Sequence, residues 1–199
     1  NDAFIILQTP PIEGIIRTSK ESIDAKDHAS TYELWRKRLE QIFISIMDAR
    51  PQYTQMRYIG IAHNGLELVR VNRTTKGLQA VPTDQLQEKG NEPYFKKGLE
   101  LKQGQVYFSE VNFNRERGKI DNTYTPTIRT VIPVYFQQKL FGMIVINTDY
   151  YFWLKKTFND IKPTNDTFVT YRHDDIAEFD PDSKQLNLNL NNMSDNNTN

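Results

Sequence analysis

The sequence of 199 residues lacks cysteine altogether, which excludes disulfides, thiolate metal sites and cysteine nucleophiles. It also lacks an excess of either charge, because 25 Lys and Arg residues balance 25 Asp and Glu residues. A neutral chain does not offer the basic surface that binds nucleic acid or anionic lipid. Long apolar runs are missing too, since none approaches the roughly 20 residues that span a bilayer. The start at Asn1 and Asp2 has no basic region of the kind that opens a signal peptide.

Motifs of the common catalytic and metal centres are also missing. There is no Gly-rich phosphate loop, no Gly-x-Ser-x-Gly nucleophile turn and no His-Glu-x-x-His zinc motif. The histidines His28, His63 and His173 lie in polar, turn-like segments without metal-ligand spacing. The acidic pairs at 174–175 and 180–182 lack the frame of a calcium loop. We therefore predict no catalytic residue, no metal site and no cofactor, and hence a region that is not an enzyme.

Apolar residues with helical spacing dominate the first fifty positions. The segment from Ala3 to Arg17 predicts two short helices, or one kinked helix, because Pro10 and Pro11 interrupt it. Ser30 is expected to cap a further helix, which ends near Ala49. One face of that helix carries Trp35, Leu39, Ile42, Phe43, Ile46 and Met47.

Beyond this helix the apolar residues recur with the period of β-strands. Strands are predicted over residues 55–62, 67–72, 105–111, 127–135 and 140–147. His63-Asn64-Gly65 predicts a tight turn between the first two strands, since Asn-Gly readily adopts positive φ. Short helices are expected over 84–89 and 94–99, in the polar segment before the third strand. The last two strands are apolar on both faces, which indicates a sheet that is covered on both sides.

These elements predict an α+β fold in which long N-terminal helices pack on a five-stranded antiparallel PAS-like sheet. The helix from Tyr32 would cover one face, and the segment before the third strand would cover the other as a lid. Three regions are expected: signalling or dimerisation helices over 1–50, the sheet unit over 51–150, and a connecting region over 151–199. The last region would begin with a helix over 150–158 and hold a strand pair around Asp174 and Asp175. The Asn-rich end from Asn187 is predicted to be a disordered tail or a cut chain end.

Several segments of the chain have a familiar sequence and occur in a familiar order. They are residues 9–17, 33–43, 57–60, 65–73, 104–109, 114–120 and 126–133. Together they resemble bacterial extracytoplasmic sensor domains of the double Cache type, which are PAS-like periplasmic domains also known as PDC. The segment 167–182 is similar to the opening of the second, membrane-proximal unit of that family.

The resemblance implies an extracytoplasmic, periplasmic domain of a membrane-anchored bacterial signalling protein, with membrane helices that lie outside this chain. Such domains serve histidine kinases, diguanylate cyclases and chemoreceptors. The resemblance further implies a small-molecule ligand between sheet and lid, and a helix shift that passes the signal to a cytoplasmic output domain. We expect a homodimer that pairs through the N-terminal helices. We expect no nucleic-acid partner.

Two arginines are the main candidates for ligand binding. Arg70 and Arg129 each lie inside an otherwise apolar strand, where an unpaired guanidinium costs several kcal/mol. Each therefore needs a carboxylate, backbone carbonyls or a ligand anion as its partner. The functional interpretation is that it binds the carboxylate of a small polar ligand, such as an amino acid. The structural alternative is a salt bridge to a protein carboxylate, or a position at a solvent-facing strand end. Glu67, Glu110 and Asp149 are the protein candidates.

Five further residues are candidate ligand contacts, each with a structural alternative. Tyr94 and Phe95 would line the cavity wall from the lid, or would simply pack on the sheet. Tyr107 and Ser109 share one face of the third strand and would donate to the ligand, or would belong to a half-exposed edge strand. Asp149 would bind a ligand ammonium group, or would cap the helix that begins at Tyr150.

Two other functions stay open at this point. The chain is alternatively a ligand-free dimerisation or protein-interaction module of the same fold, with its pocket filled by its own side chains. A small hydrolase on a PAS-like fold is the third hypothesis. It is supported only by scattered Asp, His and Ser residues, among which no nucleophile–base pair can be recognised.

Overall fold

The computed structural model describes residues 2–19, 30–116, 119–120, 125–160, 168–172, 175–180 and 185–189, with side chains up to residue 157. Contacts within the chain define two compact units. The first unit comprises residues 1–109 and 129–147, and the second comprises 110–128 and 148–199. Within the described ranges, every helix is too short or too polar to span a membrane.

Three helices open the first unit, as the apolar spacing predicts. Helices α1 (Asp2–Leu7) and α2 (Pro10–Ser19) are separate, and Pro10 begins the second. Helix α3 (Tyr32–Ala49) ends at the expected residue. Gly14 of α2 lies directly against Trp35 of α3, where a Cβ atom would come within 2.4 Å of the indole ring. The absence of a side chain at Gly14 therefore sets how closely the two helices pack.

The predicted N-cap of α3 is wrong by one residue. Thr31 is the cap, and its Oγ1 accepts a hydrogen bond from the Leu34 backbone N–H at 3.3 Å. Ser30 is buried instead, and its hydroxyl accepts a hydrogen bond from the Arg38 guanidinium at 2.7 Å. Serine and threonine are both good capping residues, so residue type alone does not separate the two positions.

The central sheet is antiparallel and PAS-like, as predicted, but within the described residues it has seven strands and not five. They are β1 (Tyr53–Gly60), β2 (Glu67–Thr74), β3 (Gly77–Ala80), β4 (Tyr107–Phe108), β5 (Asn112–Phe113), β8 (Pro126–Phe136) and β9 (Lys139–Asp149). Six of them lie in the order β3-β2-β1-β9-β8-β4, and β5 also pairs with β8. The strands β1 and β9 run antiparallel, because Thr54 bonds to Asn147 near one end and Ile61 bonds to Phe141 near the other.

Two tight turns connect neighbouring strands of the sheet. Residues Ala62–Gly65 form a single turn, α4, in which His63 and Asn64 have φ values of 50° and 52°. This is the positive-φ turn that Asn-Gly predicts. Gln137 and Gln138 adopt φ values of 49° and 63° between β8 and β9.

The segment between β3 and β4, residues 81–104, is the lid, and it departs from the prediction in its first half. The helix expected over 84–89 is wrong. A short 3-10 turn, Thr83–Gln85, is followed by extended residues that pair with the edge of β2. There the Glu67 backbone N–H donates to the Gln87 carbonyl at 3.0 Å. The second lid helix is present as α5 (Pro93–Leu99).

The sheet is covered on both faces, as the apolar pattern of β8 and β9 predicts. The helix face buries Ile6, Ile12, Ile15, Ile16, Trp35, Leu39, Phe43 and Met47 against Met56, Tyr58, Val69, Val71, Ile132, Val134, Ile144 and Ile146. The lid face buries Tyr94 and Phe95 against Ile59, Val131, Met143 and Val145. Successive residues of each strand therefore serve two different cores.

The second unit contains short strands and a helix. Strand β5 (Asn112–Phe113) pairs with the first two residues of β8, and β6 (Arg115–Glu116) forms a hairpin with β7 (Lys119–Ile120). Helix α6 (Tyr150–Asp160) confirms the helix predicted there. The strand pair predicted around Asp174 is also present.

That pair belongs to a three-stranded antiparallel sheet of β10 (Phe168–Arg172), β11 (Asp175–Asp180) and β12 (Gln185–Asn189). The tail predicted from Asn187 therefore overlaps the last residues of β12. Residues 190–199 of that predicted tail lie outside the described residues.

Candidate ligand site

Strand register places a group of polar side chains on the lid face of the sheet. Arg57 of β1 and Arg70 of β2 are direct cross-strand partners, so their side chains share a face. Met56 and Tyr58, the neighbours of Arg57 on β1, belong to the core on the opposite, helix-covered face. Val131 of β8 belongs to the lid-face core. Arg129 lies two residues earlier on the same strand, and it faces the lid as well because alternate side chains of a strand share a face.

Arg57 lies at the centre of this group and is only 1 % exposed. Its Nη1 donates to the Tyr94 hydroxyl oxygen at 2.6 Å, and its Nη2 donates to the Asn147 Oδ1 at 2.8 Å. Tyr94 comes from the lid helix α5, whereas Asn147 comes from the central strand β9. The guanidinium thus connects the lid to the sheet through its two terminal nitrogens.

The ring of Tyr94 lies close to two guanidinium groups. The Cζ of Arg57 is 5.4 Å from the ring centroid, and the Cζ of Arg129 is 5.3 Å from it. These are cation–π distances. Burial raises the pKa of the Tyr94 hydroxyl, and the two guanidiniums only partly offset that effect. The hydroxyl therefore stays protonated at neutral pH.

One buried carboxylate belongs to the same group. Glu67 lies 3.9 Å from Arg57 (Oε1 to Nη1) and 3.6 Å from Arg70 (Oε2 to Nη1). Its Oε2 also accepts the Gln87 backbone N–H at 3.0 Å. The pair of Arg70 and Glu67 is the protein-carboxylate alternative that the sequence leaves open. Glu67 also ties this cluster to the extended part of the lid.

Side-chain amides extend the hydrogen-bonded network across three strands. The Asn72 Oδ1 accepts hydrogen bonds from Gln55 Nε2 at 2.8 Å and from Arg70 Nε at 2.9 Å. The Asn147 Nδ2 donates to Gln55 Oε1 at 3.3 Å. These bonds link β2 through β1 to β9, so they orient both Arg70 and the Asn147 carbonyl oxygen that holds Arg57.

The structure thus brings together Arg70, Tyr94 and Arg129, three of the seven predicted ligand contacts. Phe95 packs in the lid-face core, with its ring beside Gly65. Tyr107 is half-buried on β4 and packs against the same core. Both residues shape the apolar part of this face.

Ser109 and Asp149 make contacts of a structural kind. The Ser109 hydroxyl accepts the Arg129 backbone N–H at 2.9 Å, and its own N–H donates to the Arg129 carbonyl, so it continues the pairing of β4 with β8. Asp149 caps α6, because its Oδ1 accepts the Phe152 N–H at 2.9 Å. Burial raises the pKa of the Asp149 carboxyl, although hydrogen bonds from the helix backbone oppose the rise. The ligand roles of both residues stay predictions.

Sequence reasoning did not single out Arg57 and Asn147 as site residues. Arg57 carries the same signal as Arg70, since it is a charge between the apolar residues Met56 and Tyr58. Asn147 is an amide at the end of the apolar run of β9 and gives a weaker signal. Within the described part of the chain, no group of three His, Asp or Glu side chains is arranged to hold a metal ion.

Comparison with known families and structures identifies sensory relatives. The model of the bacterial histidine kinase sensor domain matches residues 19–160, which is more than half of the 199 residues. A comparison with curated proteins gave no match.

The similar solved structures are sensory domains of low sequence identity. The extracellular domain of a candidate histidine kinase has a TM-score of 0.63 and 16 % identity, over 88 % of this chain and 75 % of that one. A domain of a candidate sensory box/GGDEF protein from Vibrio parahaemolyticus has a TM-score of 0.64 and 16 % identity, over 88 % of this chain and 79 % of that one. The sensory domain of the Campylobacter jejuni chemoreceptor Tlp3 with isoleucine bound has a TM-score of 0.51 and 10 % identity, over 88 % of this chain and 68 % of that one. Such identities show a shared fold.

Proposed function

We propose, from the premise that this chain belongs to the family of bacterial histidine kinase sensor domains, that it binds a small carboxylate-bearing molecule on the lid face of its sheet. The observation that carries the proposal is the buried guanidinium of Arg57. Its terminal nitrogens bind one oxygen from the lid and one from the sheet. A planar guanidinium fork suits a carboxylate, which offers two oxygens in the matching geometry. The proposed role is recognition and not catalysis.

The charges around Arg57 support an anionic ligand. Arg70 and Arg129 lie on the same face, and each is at most 5 % exposed. Burying a guanidinium is costly unless hydrogen bonds and anions compensate it. Amino acids and simple carboxylates are the ligand classes that we propose. The isoleucine in the Tlp3 structure is a ligand of that protein, and its shared fold gives the proposal a precedent.

Titration calorimetry of the 199-residue chain against a panel of carboxylates and amino acids tests the proposal. We expect at least one panel member to bind, and we expect Arg129→Met to weaken that binding at least tenfold, because a charge-assisted contact is lost. Lys37→Ala, which removes an exposed positive charge from α3, is the matched control. An unchanged affinity in Arg129→Met would remove Arg129 from the site. A panel without any binder would contradict the carboxylate proposal.

We further propose that the domain lies on the extracytoplasmic side of the bacterial inner membrane and passes a helix shift to a cytoplasmic output domain. A connection between lid and helices supports the relay. Arg36 of α3 donates through Nε to the Leu68 carbonyl of β2 at 2.6 Å, and through Nη1 to the Thr83 hydroxyl of the lid at 2.7 Å. A ligand biases such a relay only through its difference in affinity for the two states.

The homodimer expected through the N-terminal helices belongs to the same proposal. Helix α1 exposes the apolar side chain of Ile5, which is 62 % accessible to solvent. Light scattering of the wild-type chain and of Ile5→Glu measures the oligomeric state. We expect the variant to be more monomeric at equal concentration, and an equal mass for both chains would contradict pairing through α1.

The alternative of a ligand-free module of the same fold is supported by one observation. The oxygens of Tyr94 and Asn147 already satisfy the terminal nitrogens of Arg57. In this alternative the cluster is a closed structural network, and no carboxylate binds.

A further inference from the structure

We infer that the Tyr94 hydroxyl holds the place of a ligand carboxylate oxygen on Arg57, so that ligand binding exchanges one for the other. This inference rests on the proposed function, because it assumes that a carboxylate reaches Arg57. Tyr94 would then act as a latch, by which we mean a protein side chain that occupies the ligand's place on Arg57 and competes with the ligand for it.

The geometry of the guanidinium fork carries the first step. A carboxylate that binds a guanidinium end-on uses both terminal nitrogens, with one oxygen on each. In Arg57 these two nitrogens already donate to protein oxygens, Nη1 to the Tyr94 hydroxyl at 2.6 Å and Nη2 to the Asn147 Oδ1 at 2.8 Å. A carboxylate oxygen that binds one of these nitrogens would therefore compete with a protein oxygen.

The two oxygens differ in how firmly they are held. Asn147 lies in the central strand β9, and its amide is bonded to Gln55 at 3.3 Å. Tyr94 is the second residue of the seven-residue helix α5 in the lid. The lid oxygen is therefore the one that exchanges.

The rest of α5 is attached to the sheet by apolar packing that does not depend on the Tyr94 hydroxyl. Phe95 is buried in the lid-face core. Gly98 lies so close to Met143 that a Cβ there would come within 2.6 Å of its sulfur. Displacing the hydroxyl thus breaks a polar contact of Tyr94 while the lid helix stays packed.

Charge favours the exchange in the direction of the ligand. The Tyr94 hydroxyl is a neutral acceptor for Arg57, whereas a carboxylate carries the opposite charge and can accept two parallel N–H bonds from a guanidinium. The ligand also compensates the charges of Arg57 and Arg129, which both lie beside the Tyr94 ring. Tyr94 therefore lowers the apparent affinity without blocking the site.

Tyr94→Phe tests the inference because it keeps the ring and removes only the hydroxyl. The probes are acetate, succinate and L-valine, measured by titration calorimetry with the 199-residue wild-type and variant chains. We expect Tyr94→Phe to bind the probes about ten- to a hundredfold more tightly, which corresponds to the loss of one competing hydrogen bond to a charged group, about 1.5–3 kcal/mol. Tyr151→Phe is the control, since it removes a hydroxyl from an exposed position of α6, and it should bind as the wild type does.

Each outcome bears on one of the two proposals. If the wild type binds a probe and Tyr94→Phe binds it with equal or lower affinity, the latch is overturned and the proposed function is retained. Binding to Tyr94→Phe alone supports the latch in its strongest form. Failure of both chains to bind any probe overturns the proposed function and the latch with it. Thermal unfolding of each variant shows whether it is folded.

A crystal structure of the wild-type chain with a bound probe gives a second, independent test. The latch predicts a carboxylate oxygen on the Arg57 Nη1, with the Tyr94 hydroxyl moved beyond 3.5 Å from that nitrogen. A bound probe with the bond between Tyr94 and Arg57 intact would overturn the inference.

Discussion

The two faces of the central sheet use buried side chains in opposite ways. The helix face is an apolar core, to which three helices contribute isoleucine, leucine, phenylalanine and tryptophan. The lid face has a smaller apolar core beside a cluster that buries Arg57, Arg70, Arg129 and Glu67. Buried ionic groups are weak contributors to stability compared with apolar residues of similar size. The comparison indicates that the helix face contributes more to stability, and the lid face is the one for which we propose recognition.

Two buried arginines, one from each side of the sheet, sharpen this contrast. Arg36 of α3 binds the Leu68 backbone carbonyl, the Thr83 hydroxyl and the carboxylate of Glu33. The carbonyl is part of the backbone of β2 and cannot move away. Arg57 binds the side-chain oxygens of Tyr94 and Asn147, and a side chain can be exchanged for a ligand. We interpret Arg36 as a structural connection and Arg57 as a recognition group.

The largest effect on stability is expected on the helix face. Phe43→Ala removes a fully buried ring from the apolar core and should lower the free energy of unfolding by about 3–5 kcal/mol. Urea unfolding followed by circular dichroism measures the loss, with the exposed Lys37→Ala as control. A loss below about 1 kcal/mol would show that the helix face is not the main source of stability.

The contact of α2 with α3 offers the next test of the same face. Gly14→Ala should destabilise the chain by about 1–3 kcal/mol through overpacking against Trp35, although alanine favours a helix over glycine by about 1 kcal/mol. The double variant Gly14→Ala/Trp35→Leu should show coupling, because the smaller side chain relieves the clash. Additive effects in urea unfolding would contradict the close packing of these helices.

A matched change on the lid face should separate stability from binding. Arg129→Met keeps an apolar stem of similar length, so we expect it to change the free energy of unfolding by only about 1 kcal/mol, the usual size for a point mutation. The same variant should lose at least tenfold in carboxylate affinity. A stability loss as large as that of Phe43→Ala would remove the distinction between the two faces.

The features of the fold that sequence reasoning finds are those with a local signal. Helix α3 follows from its apolar period, and the turn before β2 follows from Asn64 and Gly65. Strand β3 is missed because Leu78 and Ala80 are its only apolar residues, which is too short a pattern to recognise. The helix expected over 84–89 fails because backbone pairing with β2 outweighs the local preference for helix.

A site residue can be predicted from the sequence only where its immediate neighbours indicate that it is buried. Arg70 and Arg129 are identified because a charge inside an apolar strand needs a partner. The partners themselves depend on which strands are neighbours. Only the order of β1 and β9 in the sheet brings Asn147 to Arg57, and no spacing along the chain encodes that contact.

The smallest effect is expected from a polar contact at the end of the helix face. Asp2 of α1 bonds to the Arg50 guanidinium at 3.0 Å and to the Tyr53 hydroxyl at 2.9 Å. Burial alone would raise the pKa of the Asp2 carboxyl, but hydrogen bonds from Tyr53 and Arg50 outweigh it, so the net pKa is lowered. Burial and the bond to Asp2 raise the pKa of Tyr53 to about 12, which keeps its hydroxyl a donor.

A carboxyl whose pKa is lowered by folding stabilises the folded state above its ordinary pKa of about 3.9, and the contribution is lost as the pH falls through the lowered value. Wild-type chain should therefore be more stable than Asp2→Asn at pH 6, and the gap should close as the pH falls toward 2. The gap is small because Arg50 is exposed and its pair with Asp2 is screened by water and salt. Urea unfolding of both chains at pH 6, 4 and 3 measures it. A gap that stays constant over this range would show that the charge of Asp2 does not hold α1 to the end of α3.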